Sequence, residues 1–291
     1  MAIAAIALLA VTQSQPPIYI GLVREDGYLI PIATITPKLF ETIAMETTVN
    51  GEPLPPEEPE WPFSNLEWTL SSSGGTASVA IKTLEPLTVD SHCTDQTVWR
   101  TTLKLPPARK NVAPIQKIGL AVNGSSVQHP ENVAGQPDAA SRRVARVIVQ
   151  LTHAKEAERL ATEPKEYWPS NSYSDRAQVP VRLEKLQRHS NGGSSTYYFE
   201  ATKPWLRGSP ENGLVTGWLS ASGTDIKSHD VKYKFNDDGH KENDRAIVWG
   251  IVPYRGRTLW ILEWHGYEHE YYTVHDWPSA VERVKIDGGG C

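Results

Sequence analysis

Residues 246–277 read AIVWGIVPYRGRTLWILEWHGYEHEYYTVHDW, and the parsing of this stretch decides the fold. It is the longest run of strand-forming residues in the chain, dominated by Trp, Tyr, Ile and Val. Pro253-Tyr254-Arg255-Gly256 makes one break, and His265-Gly266-Tyr267-Glu268 makes a second. Two or three antiparallel strands follow from that punctuation, the centre of a sheet on which the remainder assembles.

The same stretch holds the densest potential chemistry: Glu263, His265, His269 and Glu270, with His275 and Asp276 downstream. As one unbroken strand over 258–271, side chains two apart share a face, so Glu263 and His265 reach a common metal ion. His269 then lies about 13 Å further along and joins them only through a bend. As a hairpin turning at 265–268, Trp264 faces His269 and Glu263 faces Glu270. Two opposed carboxylates repel unless a cation bridges them or one keeps its proton, which is the raw material of an acid/base pair or a metal site. The catalytic candidates are therefore Glu263 and Glu270, and the metal-ligand candidates Glu263, His265 and His269. A divalent metal is the one cofactor these residues invite. The plainer alternative is an amphipathic hairpin with solvated carboxylates and hydrogen-bonded histidines.

Working outward, residues 18–35 form two apolar runs around Arg24-Glu25-Asp26-Gly27, and Asp26-Gly27 is a strong hairpin signal. Gly21, Gly27, Leu29 and Ile32 echo Gly250, Gly256, Leu259 and Ile261. Shared turn chemistry accounts for the echo more simply than duplication does. Residues 50–63 are too rich in proline for helix or central strand and read as an extended loop. Strand-like text returns at 66–105, at 116–122, and in pieces at 179–187, 196–202, 213–221 and 229–236.

One helix stands out, near residues 137–162, with Asp138 as its N-cap. Val144, Val147, Ile148, Leu151, Ala154 and Leu160 form its apolar face, and Arg142, Arg143, Arg146, Lys155, Glu156 and Arg159 much of the rest. The expected fold is mainly β with one amphipathic helix: antiparallel sheets arranged as a sandwich, barrel or twisted meander, in two β modules. The expected boundaries are a signal peptide at 1–15, an N-terminal β-rich module at 16–135, the connecting helix at 136–163, and a C-terminal β-rich module at 164–291.

Composition narrows the function classes. The 291 residues carry a net charge of −5 and no long basic run, which argues against nucleic-acid binding. Residues 2–11, AIAAIALLAV, are too short to span a bilayer and have the size of a signal-peptide core, pointing to a secreted or periplasmic protein with no membrane span. Two cysteines, Cys93 and Cys291, suit one disulfide in an exported chain. Closing that loop of about 200 residues contributes on the order of 5 kcal/mol in the chain-entropy model.

Ten tryptophans and eleven tyrosines against four phenylalanines give much of the aromatic surface a polar handle. Tyr167, Trp168 and Tyr173 in the long polar loop at 163–180, with Trp205, make a stacking platform for a glycan or peptide. Trp249, Trp260 and Trp264 read as core. The serines of Ser71-Ser72-Ser73-Gly74-Gly75 and Ser220-Ala221-Ser222-Gly223 complete no nucleophile elbow. The leading expectation is a non-enzymatic binding protein for a peptide or glycan. The alternatives are a metal- or carboxylate-assisted hydrolase centred on 263–276, and a structural assembly protein that pairs β edges.

Overall fold

The computed structural model describes residues 16–36, 40–42, 48–49, 52–53, 63–72, 78–91, 94–104, 116–136, 138–162, 176–204, 212–236, 245–266 and 269–290. The leader, Cys93, Cys291, Tyr167, Trp168, Tyr173 and Trp205 lie outside the described residues. The protein is mainly β, with three antiparallel sheets and one helix among the described residues.

The first third supplies β1 (Ile18–Arg24), β2 (Tyr28–Ile35), β3 (Phe40–Thr42), the small pair β4 (Thr48–Val49) and β5 (Glu52–Pro53), β6 (Glu67–Ser72), β7 (Ser78–Ser91), β8 (Thr94–Thr101) and β9 (Lys117–Asn123). Their order is β1-β9-β6-β7-β8-β2, and β2 pairs back onto β1, so these six strands close a barrel with β3 on its flank. All six contribute to one cluster: Val23, Leu29, Trp68, Leu70, Ile81, Trp99 and Ala121, with Phe63. That cluster is therefore the barrel interior. It is narrow enough that a Cβ on Gly119 would lie 2.3 Å from the Ser71 carbonyl oxygen.

After β10 (Glu131–Asn132) comes α1 (Ala139–Thr162), then β11 (Arg182–Asn191), β12 (Ser194–Pro204), β13 (Asn212–Ser222) and β14 (Asp225–Asn236). These form a five-stranded sheet ordered β10-β11-β12-β13-β14. Asp138 caps the helix as expected, its carboxylate accepting from the N–H groups of Ala140 (3.0 Å) and Ser141 (2.9 Å). Val144 and Ile148 pack on Tyr197, Phe199, Val215 and Leu219, so the helix covers one face of this sheet. Glu156 is a correction: it is not on the solvent side but 2% exposed on the buried stripe, between Lys203 and Arg176.

The last sheet is a meander of β15 (Arg245–Tyr254), β16 (Arg257–His265), β17 (His269–Trp277) and β18 (Val281–Gly290). Arg255 and Gly256 both adopt positive φ (51° and 73°), the geometry of a tight two-residue hairpin turn. Both faces of this sheet are covered, which is why β16 reads as a nearly continuous apolar run. Trp249, Val252, Leu259, Ile261 and Val274 pack against Ile20, Leu22, Ile32 and Val122 on the outside of the barrel. Trp260, Leu262 and Trp264 pack on the opposite side, against Tyr198 and Trp218 of the five-stranded sheet. Four layers result: barrel, four-stranded sheet, five-stranded sheet, helix.

The echo between the N- and C-terminal phrases has a structural counterpart. The β1–β2 ladder slips between Ile20 and Gly21, and the β15–β16 ladder slips between Val248 and Gly250. Gly27 (φ 86°) and Gly256 (φ 73°) occupy the two turns. Both hairpins thus have a turn glycine and a register slip, with the extra residue on the second strand of one (Ile32) and on the first strand of the other (Trp249).

Candidate functional site

The β16–β17 connection is shorter than the 265–268 turn expected from sequence. His265 stays in the ladder opposite Glu270, and the Gly266 N–H donates to the His269 carbonyl at 2.9 Å. The register differs by two residues from the hairpin reading: Trp264 faces Tyr271 rather than His269, and Glu263 faces Tyr272 rather than Glu270. The unbroken strand over 258–271 is likewise ruled out. Alternation then puts Glu263, His265, Glu270 and Tyr272 on the barrel-facing side. His269 falls on the other side, exposed and stacked on Tyr271, and does not join them.

The side chain that completes the cluster is Lys117, the first residue of β9. Its Nζ lies 3.0 Å from Glu263 Oε1 and donates to Glu270 Oε2. His265 Nε2 lies 2.9 Å from Glu263 Oε1, and its Nδ1 lies 3.9 Å from Glu270 Oε2. Trp249 Nε1 donates to Glu263 Oε2 at 2.5 Å, and the Tyr272 hydroxyl donates to Glu270 Oε1. Every carboxylate oxygen of the pair has a protein donor. Glu263, His265 and Glu270 offer ligand atoms within 4.8 Å of one another. The ammonium of Lys117 nevertheless takes the bridging position that a metal ion would need.

The two carboxyls are held apart electrostatically. Burial pushes Glu263 up, but the hydrogen bond from His265 and the charge of Lys117 outweigh it and bring the group down to about 2. Burial raises Glu270, and the repulsion of Glu263 adds to it against the pull of Lys117. His265 is raised by its bond to Glu263 against partial burial. Glu263 thus stays ionised, while Glu270 takes up a proton more readily than a free glutamate.

A second constellation lies on the other side of the same sheet, where it meets the five-stranded sheet. Trp218 packs on Trp260 (5.0 Å between ring centroids), Tyr198 (5.1 Å) and His275 (5.1 Å). Trp277 and His229 meet edge to face at 5.2 Å, and Ser220 Oγ lies 2.9 Å from His229 Nε2. Trp218, Trp260 and His275 are buried, whereas Ser220, His229 and Trp277 are half-buried at the rim. Burial drives His275 down to about 4, helped by the charge of Lys232 and opposed by that of Asp230 and by a hydrogen bond with the Ala280 backbone.

The sequence brought Glu263, His265 and Glu270 forward, and they do converge. Trp249, Trp260 and Trp264 are core as expected. Lys117 was missed, and no local pattern marks it. The seam was missed too, although alternation about the Ser222-Gly223 turn puts Trp218 opposite His229. Ser71 also has an imidazole partner, His129 Nε2 at 2.7 Å. Neither His129 nor His229 is oriented by a carboxylate among the described residues, so neither pair is a catalytic triad. No family model matches the chain, and comparison with curated proteins and with solved structures finds no match either.

Proposed function

We propose that the protein is an exported, non-enzymatic binding module that recognises a glycan or peptide through aromatic side chains. The observation that carries this reading is the position of Lys117 between Glu263 and Glu270. The strongest chemical constellation in the chain is closed on itself, with a lysine from one β layer joining two carboxylates of the next. A general base needs a lone pair directed at substrate. Here the protein's own donors take those positions. The half-buried Trp277 and His229 at the rim of the second constellation suit recognition instead.

Assembly through β edges has less support, because two of the long outer edges, β14 and β15, are guarded. Lys227, Lys232 and Lys234 lie on β14, and the β15 edge is capped by Gln128 on Ile251 and by Glu200 on the Ala246 N–H. The hydrolase reading keeps one specific observation, the opposed shifts of Glu263 and Glu270, a pattern that marks acid/base pairs elsewhere.

One experiment separates binding from hydrolysis. Intrinsic tryptophan fluorescence is followed during titration with peptide and glycan panels, alongside turnover assays on chromogenic glycosides, esters and peptides. Saturable binding without turnover is expected. Turnover that Glu270→Gln abolishes while the unfolding midpoint holds would replace this reading with the hydrolase.

A further inference from the structure

We propose that the mouth of the seam between the five- and four-stranded sheets, framed by Ser220, His229 and Trp277, is the ligand seat, and that it takes a neutral oligosaccharide. This rests on the reading that the protein acts by binding. The platform is Trp277. Its indole is held from one side by Trp218 (6.4 Å, 33° between planes) and from another by the edge of His229 (5.2 Å, 86°). An aromatic ring fixed in this way, yet only half-buried, presents rigid apolar area at little entropic cost, which suits the C–H face of a sugar ring.

Polar groups sit where hydroxyls would need them. Ser220 Oγ and His229 Nε2 share one hydrogen bond at 2.9 Å, and each side chain keeps further donor and acceptor capacity. Deeper in the seam, Trp260 and His275 stand directly opposed across β16 and β17 and both pack on Trp218, which in turn supports Trp277.

The charge pattern selects the ligand class. Burial, with the charge of Lys227 at His229 and of Lys232 at His275, holds both imidazoles toward the neutral form. Two β14 lysines beside them are paired with acids, Lys232 with Asp230 at 3.0 Å and Lys227 with Asp225 at 3.5 Å. Lysines already paired give little advantage to a uronate, and neutral imidazoles give none to a basic peptide. An extended peptide also binds best by adding to an open edge, and β14 beside the seam carries lysines and a register slip opposite Thr216 and Trp218.

The test is calorimetric titration of the full chain with soluble neutral oligosaccharides (gluco-, xylo-, manno- and chito-oligomers), with oligogalacturonate, and with unstructured peptides. Wild type is compared with Trp277→Ala, Trp277→Phe and His229→Ala, each first shown to unfold at the wild-type midpoint. Expected are binding of a neutral oligomer, a loss of about tenfold or more in Trp277→Ala, a smaller loss in His229→Ala, and substantial rescue in Trp277→Phe. Sugar binding untouched by the Trp277 and His229 variants would overturn the seat but leave the binding reading standing. Peptide or uronate binding lost in the same variants would overturn the ligand class. Failure of every ligand class would overturn both.

Discussion

Lys117→Met keeps the length of the side chain and removes only the charge that lies between Glu263 and Glu270. The buried Glu263 and the half-buried Glu270 then face the barrel with His265 as their remaining cation. Removing one partner of a buried ion pair costs about 3–5 kcal/mol, because the partner left behind stays desolvated. The drop of Glu263 from 4.5 to about 2 corresponds to about 3 kcal/mol, shared between His265, which the variant keeps, and Lys117, which it loses. Glu270, already raised, can relieve part of the cost by taking a proton. The expected loss near neutral pH is therefore about 3 kcal/mol.

The pH dependence makes the test sharper. Glu263, lowered by folding, contributes stability above its unfolded value of 4.5 and loses it as pH falls toward about 2. Glu270, raised by folding, costs stability as pH rises from 4.5 through its folded pKa. His265 is also raised, so its contribution is complete below 6.5 and is lost as pH rises through its folded pKa. In Lys117→Met the carboxylates protonate at higher pH than in wild type, and only protonated His265 balances them. The difference from wild type should be smallest in acid and grow once His265 deprotonates. Urea unfolding followed by tryptophan fluorescence at about pH 5, 7 and 9 measures it. A loss below about 1 kcal/mol throughout, or one that shrinks as pH rises, refutes the closed network.

Glu156→Leu removes the carboxylate shared by Lys203 and Arg176, and should cost about 3–5 kcal/mol, seen as an earlier urea midpoint in the helical circular-dichroism signal. Gly119→Ala pushes a methyl into the Ser71 carbonyl and should cost about 1–3 kcal/mol by overpacking. Gly256→Ala meets no neighbour within 4 Å and should cost only about 1 kcal/mol of backbone strain, so equal denaturation losses at the two sites would contradict the barrel packing. His275, held down to about 4, makes folding weaken as pH falls from 6.5 toward about 4. In His275→Phe that part of the acid sensitivity, about 3 kcal/mol, should disappear from the stability–pH curve.

Much of the β architecture was legible because turns and alternation are local. Asp26-Gly27, Gly192-Gly193, Ser222-Gly223 and Arg255-Gly256 all lie in hairpin connections. The apolar run of β16 pointed correctly to a central strand. The hairpin register was not legible, because whether a turn uses three residues or four depends on a bond such as Gly266 to His269. Here the pairing moves by two residues, which keeps each side chain on its face but changes its partner across the ladder. Barrel closure was hidden for a different reason. Nothing in residues 18–35 states that β2 pairs β8 as well as β1. Lys117 lies 153 residues from Glu270, and a lone lysine at the start of an apolar strand has no pattern of its own.

The buried acids explain why such residues mattered. Four carboxylates are buried among the described residues, Glu156, Glu200, Glu263 and Asp276. Three of them stand at the three interfaces between the four layers. Glu263 meets Lys117 between the four-stranded sheet and the barrel. Glu200 binds Lys185 and the Ala246 N–H between the five- and four-stranded sheets. Glu156 meets Lys203 between the helix and the five-stranded sheet. Apolar faces alone would tolerate sliding of one layer on another, whereas a buried carboxylate accepts only the register that brings its cation or N–H donor opposite. Each interface therefore has one polar lock among many apolar contacts. A carboxylate used in this way is removed from chemistry, and recognition is left to the margins where a seam reaches solvent. The rim at Trp277 is such a margin, where the half-buried Trp277 and His229 meet edge to face.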